Sequence, residues 1–182
     1  MHKVVLSAIG KDKPGIVSAV TGILYRHGAS IEDSSMTILE ENFTMIMIVS
    51  LPGKTTVEAF AEDFRRIEKK TGLLVSLATP KQKPHVGPAR PQGKPYMLSV
   101  LGSDKPGIVH KVSKLLADSK VNITDLNTKV IGREGEKNVY AMVIEVEIPA
   151  SLPPATLQSK LSRLAKSLKV DISSRPIETL TL

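Results

Sequence analysis

The hexapeptide Asp-Lys-Pro-Gly-Ile-Val occurs twice, at Asp12–Val17 and again at Asp104–Val109, so the chain is one unit duplicated with a register of 92 residues. The match widens to Leu6, Ser7 and Gly10 against Leu98, Ser99 and Gly102, and returns downstream where Ile31 and Asp33 align with Ile123 and Asp125. Six identical residues in a row with matching flanks exceed chance. Any fold assigned to one half must therefore hold for the other, which leaves roughly 80 residues per copy, small but enough for a core.

Periodicity orders the elements. Lys3–Gly10 alternates loosely as a strand, and Pro14 is expected to open a helix with Ile16, Val20, Ile23 and Leu24 on one face and Gly28 as its stop. Ser30–Glu40 and Phe43–Leu51 read as the strands of a hairpin. A second helix follows, with Thr55 and Glu58 as a capping box, Val57, Phe60, Phe64 and Ile67 as its buried stripe, and Gly72 before the strand Leu73–Thr79. The second copy repeats this order in Tyr96–Gly102, Pro106–Ser119, Val121–Ile131, Asn138–Ile148, Pro154–Lys169 and Val170–Ser174. Its hairpin gains five residues, Gly132–Glu136, expected in a surface turn, after which corresponding residues lie 97 apart.

The order predicts an α+β chain with residues 1–80 as one domain, 81–94 as a Pro/Gly/Lys linker and 95–182 as the second domain. Pro84, Pro88 and Pro91 with Gly87 and Gly93 disfavour helix and strand and favour an extended spacer. Such a spacer allows side-by-side packing with a pseudo-two-fold axis. Phe43–Leu51 is apolar on both faces, with Ile46 and Ile48 opposite Phe43, Met45, Met47 and Val49, so the face beyond the reach of the helices is expected to meet a second sheet or another subunit, which leaves a homodimer open, or to leave its isoleucines exposed to water.

Charge narrows the function classes only a little. The net charge is +7, but residues 1–80 hold nine basic and nine acidic side chains, residues 81–94 four and none, and residues 95–182 twelve and nine. An excess of this size serves solubility as readily as a partner, and Lys160, Arg163, Lys166 and Lys169 read as a solvated helix face. With no cysteine there is no disulfide, thiolate nucleophile or sulfur-ligated zinc, which suits a reducing cytoplasm. Met1–Ile9 lacks the pattern of a secretory signal and no stretch reaches membrane-spanning length, so a cytoplasmic protein without membrane attachment is expected. His2, His27, His85 and His110 are scattered without metal-ligand spacing, and no nucleophile elbow is present, so neither enzyme activity, metal nor cofactor is expected.

The repeated phrase is the candidate site. The N–H groups of Gly15 and Ile16 would point from a helix start of positive partial charge, where a carboxylate could sit on the backbone. Lys13 is a poor cap, so either Asp12 bends over the helix start as an Asx-type cap or the donors stay free. Locally, Asp-x-Pro-Gly is also simply a good strand-to-helix turn.

Gly-x-Asp-Lys-Pro-Gly-Ile-Val, a helix ending near Gly28, and then Ser30-Ile31-Glu32-Asp33 resemble the ACT domain, a small amino-acid-binding regulatory module, in both halves. Two such domains, with Asp33-Ser34-Ser35-Met36 and Phe43-Thr44-Met45-Ile46-Met47, also resemble the glycine cleavage system transcriptional repressor group. The resemblance implies two ferredoxin-like βαββαβ domains, each an antiparallel four-stranded sheet with helices on one face, and ligands held where paired domains meet. It assigns Asp12, Pro14, Gly15 and Ile16 to one loop and Asp104, Pro106, Gly107 and Ile108 to the other. Facing them across the junction would be Ser30, Ile31 and Asp33, or Asn122, Ile123 and Asp125, with Asp33 and Asp125 as acceptors for an ammonium group. Each aspartate could equally bond its own strand end. Asn122 offers donor and acceptor where Ser30 has a shorter reach, so the Asn122 site is expected to bind the better.

The expected function is an amino-acid-responsive regulator, with glycine or serine as ligand, acting through a protein partner such as a transcription factor or enzyme. One alternative is a detached regulatory subunit of an amino-acid metabolic enzyme. The other is a basic RNA-binding ferredoxin-like protein, disfavoured by one aromatic on each relevant strand and 3% aromatic content overall. Direct DNA binding is not expected, since no two helices are adjacent in the order.

Overall fold

A computed structural model describes residues 2–53, 55–79, 93–135 and 137–178. The chain divides into two compact units, Met1–Lys83 and Pro84–Leu182. Residues 81–92 of the expected linker lie outside the described residues, and Lys94 already belongs to a strand.

The first unit runs β1 (His2–Lys11), α1 (Ile16–Arg26), β2 (Ser30–Leu39), β3 (Asn42–Leu51), α2 (Val57–Thr71) and β4 (Leu74–Ala78). The second runs β5 (Lys94–Ser103), α3 (Ile108–Asp118), β6 (Asn122–Glu134), β7 (Lys137–Ile148), α4 (Pro154–Leu168) and β8 (Val170–Pro176). Each makes one four-stranded antiparallel sheet, in the orders β2-β3-β1-β4 and β6-β7-β5-β8, the βαββαβ arrangement the sequence implies.

Alternation builds the first core: Phe43, Met45, Met47 and Val49 of β3 point inward with Val4, Leu6 and Ala8 of β1. They meet Ile16, Val20, Ile23 and Leu24 of α1 and Phe60 and Phe64 of α2. The second core uses Leu98, Val100, Met142, Ile144, Ile108, Val112, Leu116, Leu157 and Leu161 in the same roles. On the opposite face of the first sheet Ile9, Ile46, Ile48 and Leu74 are exposed, as the doubly apolar β3 led us to expect.

Three local expectations are corrected. Pro14 does not open α1: Lys13-Pro14-Gly15-Ile16 forms a turn, with Gly15 as N-cap at φ 93°, ψ −5°, the type II shape that needs glycine third, and Ile16 N–H reaching back to Lys13 O at 3.4 Å. Gly107 takes the same place before α3 at φ 92°, ψ 0°, so Pro106 also lies outside its helix. At α2 the cap is Thr56, whose Oγ1 accepts from Ala59 N–H at 3.2 Å, while Thr55 N–H is held by Pro52 O. Only the tip of the five-residue insertion, at Gly135, is a turn: Gly132–Glu134 lengthen the β6–β7 hairpin to the pair Glu134–Lys137, with a register shift between Val130 and Gly132.

Glycines at two aligned positions let strands approach closely. A Cβ on Gly10 would lie 2.9 Å from Leu73 Cδ2, and one on Gly102 would lie 2.8 Å from Val170 Cγ1 and 3.1 Å from its Cβ.

Candidate functional site

The two motif loops are anchored by backbone alone. Asp12 N–H donates to Glu41 O at 2.7 Å and Asp104 N–H to Asn138 O at 2.8 Å, which ties each loop to the hairpin of its own unit. Neither Gly15 nor Gly107 is joined by a side-chain cap, so Asp12 and Asp104 do not close over the helix starts. The helices pick up their bonding from Ala19 N–H to Gly15 O at 2.8 Å and Lys111 N–H to Gly107 O at 2.9 Å. The expected Ile16 donor is not free, since its N–H turns back to Lys13 O, but among the described residues the first-turn N–H groups take no side-chain cap bond, an arrangement that favours an anion. Neither glycine is there for space, since an added Cβ would meet nothing within 4 Å; the left-handed φ is what requires it.

Ser30, Ile31 and Asp33 lie at the other end of the same sheet. Lys11 pairs with Asn42, which pairs with Leu39, whereas Ser30 pairs with Ser50, which pairs with Lys3. At about 3.3 Å per residue the opening of β2 is therefore roughly 20 Å or more from the loop of its own unit. Asn122, Ile123 and Asp125 are displaced from Asp104, Pro106, Gly107 and Ile108 in the same way. Within one unit the candidate residues fall into two groups that a small ligand cannot bridge.

Bulges refine the picture. The register shifts between Ile31 and Asp33, and between Ile123 and Asp125, so each aspartate sits opposite an outward-facing partner, Ile48 and Glu145 respectively. Asp33 Oδ1 accepts from Ser34 N–H at 2.8 Å, the local bond weighed from the sequence, while Asp125 Oδ2 accepts from Asn127 Nδ2 at 2.6 Å. In the first unit the bulged Glu32 takes a hydrogen bond from Lys3 Nζ at 2.6 Å and one from Ser50 Oγ. The Lys3 bond, with Ser50 second, holds the Glu32 carboxyl below its ordinary range. The aligned residues of the second unit are Pro95, Thr124 and Glu147, which cannot form that set, so the opening at Asn122 is not tied down in this way.

Two features escape sequence reading. A cleft of about 630 Å³ opens next to the second loop, lined among others by Gly102, Ser103, Lys166, Lys169 and Asp171. It carries both signs of charge, as a small zwitterion would need, and it exists because strand end and helix end meet there, which no local pattern announces. Second, Tyr140 stands where the first unit has Phe43, at the register of Gly102 and two residues from Asp104, and its buried hydroxyl closes no hydrogen bond of normal geometry. Burial pushes that phenol up, Thr128 diagonally across the β6–β7 pair eases it back, and the Asp104 charge adds to the rise.

Among the described residues no helix is long and apolar enough to cross a membrane. The family model of the ACT domain matches residues 2–78 and 95–174. The glycine cleavage system transcriptional repressor of Escherichia coli K12 is 25% identical over 174 residues, covering 96% of this chain and 87% of that protein. A UPF0237 protein of Methanocaldococcus jannaschii is 43% identical over 76 residues, 41% of this chain and 84% of its own length. A crystal structure of an unknown protein from Galdieria sulphuraria superposes with a TM-score of 0.81 at 27% identity, covering 97% of this chain and 99% of that one.

Proposed function

The chain belongs to the ACT domain family through both of its halves, and from that premise we propose that it is a non-enzymatic, amino-acid-responsive regulator that acts on transcription or on an enzyme through a protein partner. The likeness to a glycine cleavage repressor over nearly the whole chain supports the transcriptional version and suggests glycine or serine as ligand. One observation carries the sensing role: two helix starts, each capped by a left-handed glycine and by no side chain, leave first-turn N–H groups other than that of Ile16 for a carboxylate.

Loop and strand opening lie at opposite ends of one sheet, so no seat within one unit can use both. As separate contacts, the loop takes a carboxylate and the strand opening, Ser30 or Asn122, takes an ammonium group. Occupancy changes regulation only through differential affinity: the ligand must prefer one arrangement of the regulator over another.

A thermal-shift screen of the intact chain against the standard amino acids tests this. At ligand near 100 times its Kd the expected stabilisation is about 2.7 kcal/mol, a rise of several degrees. Gly107→Ala, which strains the turn without a clash, and Asn122→Ala are expected to reduce the shift, the latter more than Ser30→Ala. A flat screen sinks the sensing role, and equal losses at Ser30 and Asn122 sink the inequality of the two seats.

A further inference from the structure

The helix layers of the two copies have parted in charge. α2 carries four acidic and four basic side chains, whereas α4 carries Lys160, Arg163 and Lys166 and no acid. The seam between helices differs as well. Between α3 and α4 runs a groove of about 390 Å³, floored by half-buried Leu115 and Leu164 and rimmed by three lysines, Lys111, Lys114 and Lys160, and one acid, Asp118. The aligned positions in the first unit are Ala19, Gly22 and Asp63, none of them a lysine. There the seam is filled: the His27 ring stands edge-on against Phe60 at 5.4 Å and bonds Asp63 at 2.9 Å. Ser119 and Leu157 replace His27 and Phe60 in the second unit, and the shorter side chains leave the space open.

Of the rim, Lys114 is paired with Asp118 at 3.0 Å on the exposed surface, an attachment worth little and easily exchanged. Lys160 donates to Ser119 Oγ at 3.2 Å, and among the described residues neither it nor Lys111 meets a carboxylate. Lysines also occupy both left-handed helix ends of this unit, Lys120 at φ 58° and Lys169 at φ 56°, where the first unit has Gly28 and Gly72. An L-residue there works against its own backbone preference, so the positive charge of this layer extends even into positions that favour glycine.

We propose that the α3–α4 groove docks an acidic segment of a protein partner, with one or two apolar side chains on the Leu115–Leu164 floor and carboxylates on the rim lysines. The apolar floor decides between kinds of polyanion. A sugar–phosphate backbone gains nothing from leucines, and among the described residues no aromatic side chain lines the groove for a base to stack on. An amphipathic acidic peptide uses both floor and rim. A second copy of this chain does not match, since its net charge is +7 and its helices are neutral or basic. The groove is separate from the amino-acid seat and shares with that reading only the need for a protein partner.

The test is a display selection of a random dodecapeptide library on the intact chain, followed by fluorescence anisotropy of the enriched peptides. Expected winners are acidic, with two apolar residues three or four apart. Lys111→Gln/Lys114→Gln/Lys160→Gln should weaken them by about tenfold or more, and raising salt from about 50 to about 500 mM should weaken them severalfold. Lys120→Gly/Lys169→Gly keeps the test clear of unfolding, because it removes two charges while relaxing the backbone; a loss of about twofold with an unchanged or higher Tm is expected. The proposal falls if no peptide is enriched, if the winners are neutral or basic, if the triple variant binds as the parent does, or if duplex DNA of equal length displaces them. A negative amino-acid screen leaves each of these outcomes as it stands.

Discussion

In the first unit the helix pair closes on edge-to-face rings and a hydrogen bond: Phe60 packs edge-on with Phe64 at 5.0 Å and with His27, and His27 holds Asp63. In the second unit the same positions are Leu157, Leu161, Ser119 and Lys160, and the seam is left partly open. The strand order beneath is the same, down to the bulge at the opening of β2 and of β6, and the frames differ in the longer β6–β7 hairpin with its second register shift. Duplication thus kept what the backbone demands and released what it does not. The inward face of each sheet must stay apolar, though Phe60 and Phe64 give way to Leu157 and Leu161, while the outward half of a helix layer can change charge at little cost to the fold.

Phe60→Ala should break this comparison most severely. Deleting a fully buried ring that also supports His27 costs about 3–5 kcal/mol. Hydrogen exchange should show the loss in α1 and α2, with α3 and α4 protected as before; equal loss in both units would mean that they do not unfold separately. Next come the close approaches. Gly102→Ala is expected to cost about 1–3 kcal/mol and more than Gly10→Ala, because Val170 is stiff at its branched Cβ whereas the Leu73 tip can turn aside. Urea melts of the two variants would show it, and a larger effect at Gly10 would contradict the reading.

Helix ends give a smaller and opposite effect. Lys169→Gly should stabilise by about 0.5–1 kcal/mol and Gly72→Lys should destabilise by a similar amount, since only glycine enters the left-handed region freely. The smallest effect is the acid response of the first unit. The hydrogen bond with His27, ahead of the charges of Arg26 and Arg66, holds the Asp63 carboxyl below its ordinary range. A depressed carboxylate contributes stability that is complete above its unfolded value, near 3.9, and is lost as pH falls through the lower folded value. The stability gap between the parent and Asp63→Asn should therefore be open near pH 6 and shrink below about pH 4. A gap that stays constant would show that the pair contributes nothing through charge.

The repeat made the element order legible, because hydrophobic periods of two and of 3.6 residues survive in both copies. The stripe of Phe60 and Phe64, the hairpin around Glu40 and Glu41, and the exposed face of β3 could all be read in advance. The start of α1 could not: Pro14 at a first helical position and Pro14 in a type II turn look alike until the φ of Gly15 is known. The choice of Thr56 over Thr55 as cap likewise rests on which residue turns extended, a matter of one peptide plane. Of the candidate site, the loops were legible as local motifs, but the opposite placement of Asp12 and Asp33 on the sheet follows from antiparallel pairing between distant strands. The groove was hidden for the same reason, since it depends on positions 115 and 164 meeting across two helices.

The bulge before Asp33 has one further effect. A strand has only two sides, and inserting a single residue exchanges them for everything that follows, so Asp33 and Ser35 look away from the helices while Met36 and Ile38 look toward them. Removing Glu32 would make Ile31–Val49 and Asp33–Ile48 consecutive regular pairs and leave every later side chain on its present side, whereas keeping Glu32 without the bulge would present Met36 and Ile38 on the outer surface. Along this edge the number of residues matters as much as their kind.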